Sequence, residues 1–156
     1  MKSFKQILAK HAWQIIVLVG GLLIVLVLFV NDRAQAPSIT YKSLTLNKKT
    51  YKLEVVSTSA GLEKGLSGRT SLPTDQCMLF VFKAPAPYGF WMKDMHFPLD
   101  IIWLNVGKEV VYTKENLQPS TYPAIFKPTS PSLYTLECNA GFAAQNQLLE
   151  GQMLSF

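Results

Sequence analysis

The apolar positions of this chain fall into two regimes. From residue 15 to 30 every position is apolar or glycine (IIVLVGGLLIVLVLFV), and no Asp, Glu, Lys or Arg occurs between Lys10 and Asp32. With Ala12, Trp13 and Gln14 the run is about 19 residues, which at ~1.5 Å rise each reaches roughly 28 Å, close to the hydrocarbon thickness of a bilayer. The pattern predicts a transmembrane helix over residues 12–30, a stub at 1–11 and a tether at 31–38. Beyond residue 38 the apolar positions come in short runs divided by turn residues, as in a sheet.

Residues 41–46 and 50–56 flank the turn-like Asn47-Lys48-Lys49, which predicts a hairpin. Next, Thr58 or Ser59 is placed to cap a short helix carrying Leu62 and Leu66, curtailed by Gly65, Gly68 and Pro73. CMLFVF at 77–82 is an apolar run of strand length that suits a doubly covered strand. YGFWMKDM, LDIIWLN and EVVYTKE read as three further strands, the last two joined through Asn105-Val106-Gly107-Lys108. Four prolines between 116 and 132 predict a long surface loop; LYTLECN, a second helix over 140–149 and a closing strand GQMLSF follow. Seven or eight strands with two short helices predict a mainly β domain over 39–156, an antiparallel sandwich or a partly open barrel.

Charge sets the expected topology. Lys2, Lys5 and Lys10 precede the apolar run without any acid, whereas Asp32 and Arg33 after it cancel. The positive-inside rule then places the N-terminus in the cytoplasm and the 39–156 domain outside the cell membrane. Ala34-Gln35-Ala36 offers a competing reading, cleavage near Ala36 with release of a secreted domain, but Pro37 and the length of the apolar run favour a retained anchor. Of the formal net charge of +5, the first 36 residues hold four basic groups and one acidic group. Residues 37–156 hold 11 basic against 9 acidic and carry no nucleic-acid motif, so nucleic acid is not an expected partner.

The densest polar cluster within an apolar region is FWMKDMHFPLDI. A strand over 90–95 would turn Trp91 and Lys93 to one face, where an indole, an ammonium and the carboxylate of Asp100 could grip a sugar or a small anion. The alternative is structural, an ion pair of Lys93 or Arg69 with Asp100 that ties strands together. Arg69, Trp91, Lys93 and Asp100 are therefore the candidate ligand-binding residues. His96, near Asp94 and Asp100, is a weak acid/base candidate for a hydrolase, since no second metal-ligand cluster, nucleophile motif or phosphate loop occurs. No catalytic residue, metal or cofactor is assigned. Cys77 and Cys138, exported together, would form a disulfide; the alternative is two packed thiols.

GLEKGLSGRTSLPTDQCMLFVF followed by FWMKDMHFPLDIIWLN resembles the bacterial and archaeal family known as domain of unknown function 192 (DUF192), from about Lys52 to the C-terminus. The resemblance rests on Glu63, Gly65, Leu66, Arg69, Leu72-Pro73, the run from Met78 to Phe82, Phe90-Trp91-Met92-Lys93 and Pro98-Leu99-Asp100. It implies a compact, mainly β domain, often exported or anchored, and no established reaction. Two departures stand out: Cys77 replaces a usual glycine, and Cys138 lies within the Leu-Glu-x-x-Ala-Gly stretch, which suits a lineage-specific disulfide. Members commonly carry Asn-Thr where this chain has Asp94-Met95, which weakens a ligand role at 94. The expected function is an anchored extracytoplasmic domain that binds a small or cell-envelope ligand. The alternative is an assembly module that meets another envelope protein.

Overall fold

The computed structural model describes residues 39–156; the predicted stub, membrane helix and tether lie outside the described residues. No helix among the described residues is long and apolar enough to cross a membrane. Six strands form one mixed sheet: β1 (Thr40–Leu46), β2 (Lys49–Val56), β3 (Gln76–Ala86), β4 (Leu99–Leu104), β5 (Val110–Leu117) and β6 (Ser132–Asn139). Two short helices accompany them, α1 (Ser59–Lys64) and α2 (Phe142–Asn146). The spatial order is β1-β2-β3-β6-β4-β5.

The predicted hairpin forms. Asn47 and Lys48 both take positive φ, 49° and 66°, the conformation that matches a two-residue turn to the twist of its strands. The next connection departs from the expected antiparallel meander, because β2 and β3 run parallel, Lys52 opposite Gln76 and Val56 opposite Phe80. The residues between them include α1, enough chain to return to the starting end of the sheet, as a parallel pair requires. α1 begins where Thr58 Oγ1 accepts from Gly61 N–H at 3.2 Å and stops at Gly65, whose φ is +50°. β6 then inserts between β3 and β4, pairing Cys138 with Cys77 on one side and with Asp100 on the other.

Strand alternation sorts the core into two clusters, one on each face of the sheet. The first contains Leu53, Cys77, Leu79, Ile102, Leu104, Leu136 and Cys138, capped by Phe142 and Ala143 of α2 and by Leu148 and Leu154. The second contains Met78, Phe80, Leu99, Ile101 and Trp103, covered by Leu66, Leu72, Phe90, Met92 and Met95. Both faces are dry, which is why β4 is buried at all six positions.

The sandwich and barrel expectation is corrected here. The covering layers are helices and irregular segments rather than a second sheet. The two missing strands explain the difference: residue 90 contributes only a bridge to Phe126, and residue 153 only a bridge to Glu109. Between 91 and 98 the chain turns, with Met95 N–H donating to Met92 O and Asp94 at φ 54°, so no strand runs through the motif.

Candidate functional site

On the second face, two loops are stitched side by side. Residues 65–69 leave α1 and pass over the sheet, and Ser67 Oγ donates to Lys93 O at 2.9 Å while Gly68 N–H donates to Asp94 O at 2.9 Å. The groove above them has a volume of about 570 Å3 and is lined by Glu63, Lys64, Ser67, Trp91, Lys93 and Asp94, with Ala60 and Gly68. Trp91 is 42% exposed, an unusual state for the largest apolar side chain, and Lys93 Nζ stands 5.8 Å from the centre of its ring. Trp91 also meets Tyr122 edge to face, the ring centroids 5.9 Å apart.

Below the groove lies a second cavity of about 90 Å3, walled by Phe80, Phe82, Tyr88, Phe90 and Trp91. Phe82 and Tyr88 stack with centroids 3.5 Å apart, and Phe90 packs edge to face on Phe80 and Trp103. Tyr88 is fixed from both ends: its hydroxyl donates to Ala84 O at 2.7 Å and its carbonyl accepts from Trp103 Nε1 at 2.9 Å.

Glu137 of β6 also lines this cavity, opposite Met78 and Ile101 in the middle of the sheet. It is buried, and its Oε2 has no hydrogen-bond partner among the described residues. Burial pushes its carboxyl up to about 8, against the opposing pull of the Leu66 main-chain N–H and of the Arg69 charge. Gly65 leaves room above it, since a Cβ there would lie 3.3 Å from Oε2 and 3.1 Å from Phe80 Cζ.

Beside the cavity, Arg69 grips Glu54 of β2 in a two-pronged ion pair, Nη2 to Oε1 at 2.6 Å and Nη1 to Oε2 at 2.9 Å. That hydrogen bonding raises the affinity of the guanidinium for its proton. The pair lines a third recess of about 430 Å3 that shares Lys64, Ser67 and Gly68 with the groove.

Of the four residues singled out in the sequence, the structure brings Trp91 and Lys93 together in the groove and sets Arg69 in the adjoining recess, committed to Glu54. Asp100 is elsewhere. It is wholly buried on the opposite face, where Oδ1 accepts from Asn116 N–H at 2.8 Å and Oδ2 from Ala143 N–H at 2.9 Å. Its carboxylate fastens α2 and the end of β5 to β4, and both expected ion pairs to Asp100 give way to Arg69–Glu54. His96 is exposed, Asp94 lines the groove and Asp100 faces the far side, so the three do not converge on a hydrolytic centre. Cys77 and Cys138 are joined by a disulfide between β3 and β6. Among the described residues no three His, Cys, Asp or Glu side chains assemble as a metal site. Glu137, Glu54, Lys64 and Ser67 were not singled out by the sequence, and Glu63 only as part of the family resemblance; the strand period alone would have turned Glu137 to the same face as Thr135, between Leu136 and Cys138 on the other.

No curated protein matches the chain. Two solved structures share its fold. One is a candidate transcription regulator from Sinorhizobium meliloti 1021, with 26% identity and a TM-score of 0.70 over 78% of this chain and 97% of that one. The other is a protein of unknown function from Novosphingobium aromaticivorans DSM 12444, with 29% identity and a TM-score of 0.68 over 79% of this chain and 91% of that one. The profile of the DUF192 family, described as uncharacterized ACR, matches residues 42–156, and the chain belongs to that family.

Proposed function

We propose that this protein is a ligand-binding domain held on the outer side of the cell membrane by residues 12–30, and that it takes a small molecule in the groove at Trp91 and Lys93. The observation that carries the reading is the half-exposed indole of Trp91, set against Lys93 across a groove of about 570 Å3. An apolar face flanked by a few convergent polar groups is the usual make-up of a small-molecule site. The disulfide supports display in an oxidising space. The near balance of 11 basic and 9 acidic residues after position 36 gives no support to the regulator role named for the Sinorhizobium protein. Trp91→Ala removes the stacking face without opening the core. Binding of a cell-envelope extract fraction, followed by calorimetry on the full chain in nanodiscs, is lost in that variant while its thermal midpoint stays near that of the unaltered protein. Retained binding refutes the reading.

A second reading has an observation of its own. Trp91, Tyr122 and Ile125 are 42%, 45% and 62% exposed, and Trp91 and Tyr122 touch, so an apolar patch lies beside the groove. On this reading the domain is an assembly module whose patch meets another envelope protein. Crosslinking from position 125 to one stoichiometric protein, abolished by Ile125→Asp, is the expected outcome.

A further inference from the structure

The ligand's chemical class is narrowed by two observations that no sequence motif supplies. The groove carries charge in balance, Glu63 and Asp94 against Lys64 and Lys93, so it favours neither an anion nor a cation. The cavity beneath holds a carboxyl oxygen, Glu137 Oε2, with no partner and almost no access to solvent, inside a wall of aromatic rings. Buried polar atoms are nearly always paired, so an orphan facing a cavity marks a place where something else completes the pairing.

We infer that the site takes an uncharged polyhydroxylated molecule of sugar type, which stacks on Trp91 and lowers one hydroxyl-bearing arm into the cavity, where that hydroxyl pairs with Glu137. The inference rests on the groove reading above and adds the class of ligand. A hydroxyl both donates and accepts, so it satisfies Glu137 whether the carboxyl is protonated or ionised. A ligand carboxylate would need the protonated form, the only one with a proton to donate, and a ligand ammonium would bring an unbalanced charge into the cavity unless the carboxyl were ionised. The cavity of about 90 Å3 is several times the ~10–15 Å3 that one water needs, and so admits a hydroxymethyl group. Any side chain at Gly65 would stand against both Oε2 and Phe80, so glycine there leaves the cavity wall beside Oε2 uncrowded.

The test is calorimetric titration of the full chain in nanodiscs with five probes: glucose, galactose and N-acetylglucosamine as neutral sugars, glucuronate and glucosamine as charged analogues. A neutral sugar is expected to bind more tightly than either charged analogue and to lose binding in Trp91→Ala. Glu137→Gln, which keeps a donor and an acceptor, changes that affinity by about threefold or less, whereas Glu137→Leu weakens it about tenfold or more. Should the leucine variant fail to fold, monodeoxy analogues of the bound sugar decide the matter on the unaltered protein, one deoxygenation costing about tenfold. Neutral-sugar binding that is lost in Trp91→Ala but indifferent to Glu137→Leu and to every deoxygenation overturns the inference and leaves the groove reading standing. So does binding of a charged analogue alone, lost in Trp91→Ala. Binding that survives Trp91→Ala overturns both, and so does the absence of binding by all five probes.

Discussion

Replacing Glu137 by Gln changes how stability depends on pH, and the size of the change follows from where the carboxyl sits. In the folded protein burial raises its proton affinity from an ordinary 4.5 to about 8. Between those values the folded chain holds a proton that the unfolded chain has released, so stability must fall as pH rises. The contribution is fully present below pH 4.5, is lost progressively through pH 8 and is level above it. At about 1.4 kcal/mol per unit, a span of about 3.5 units comes to about 5 kcal/mol, of which about 4 falls between pH 5 and pH 9. The amide does not titrate. Urea unfolding of both proteins at unit steps from pH 5 to 9, without reductant, should show the variant gaining about 4 kcal/mol relative to the unaltered protein across the series. The slope is the diagnostic quantity, since exchange of acid for amide adds an offset that does not vary with pH. Parallel stability profiles would refute the reasoning and show that Glu137 ionises in the fold at an ordinary pH.

Four other outcomes follow from the same geometry. Ala at both Cys77 and Cys138 removes a link with a sequence separation of 61 residues and should lower stability by about 4 kcal/mol in urea unfolding. Asp100→Ala leaves the buried Ala143 N–H unpaired and takes its partner from the part-buried Asn116 N–H, and should cost about 2–3 kcal/mol in the same assay, with binding in the groove unchanged. Gly65→Ala places a side chain at φ +50° against Phe80 and Glu137; a loss of about 1–3 kcal/mol is expected by thermal unfolding, together with a closed cavity that no longer binds. Glu54→Gln loosens Arg69, and should leave the groove's affinity within about threefold while lowering the thermal midpoint, because the ion pair lies on a wall of the neighbouring recess.

Much of the fold is legible in local pattern. The turn at Asn47 and Lys48, the cap at Thr58 and the stop at Gly65 are short-range events, and each is written in the residues that perform them. The sheet's topology is not, because a parallel return and an antiparallel one use the same strand pattern; only the length of the connection through α1 separates them. Apolar runs such as CMLFVF and LDIIWL announce strands dry on both faces, yet that dryness is satisfied equally by a second sheet and by helices and loops, which is what covers them here.

The site divides in the same way. Trp91 and Lys93 stand two residues apart, and an indole next to an ammonium on a short polar break in an apolar stretch is visible without a structure. Asp100 misleads because a carboxylate in an apolar strand looks chemically poised, while its two acceptor bonds come from main-chain amides 16 and 43 residues away, which carry no side-chain signature. Glu137 is hidden for the opposite reason. Flanked by Leu136 and Cys138 it resembles the solvated member of a half-buried strand, and that is how β6 would read at a sheet edge. Two distant features make it buried: the insertion of β6 between β3 and β4, and the loop after Gly65 folding over it. A charged residue on a central strand with both faces covered has to be paired, neutralised or served by a ligand. Arg69 is already engaged by Glu54 and reaches Glu137 only through its charge, the Leu66 main-chain N–H opposes the upward shift without pairing Oε2, and neutralisation leaves that oxygen still unmatched. That sequence of exclusions, rather than any motif, makes the cavity beneath Trp91 the place to look for what this domain holds.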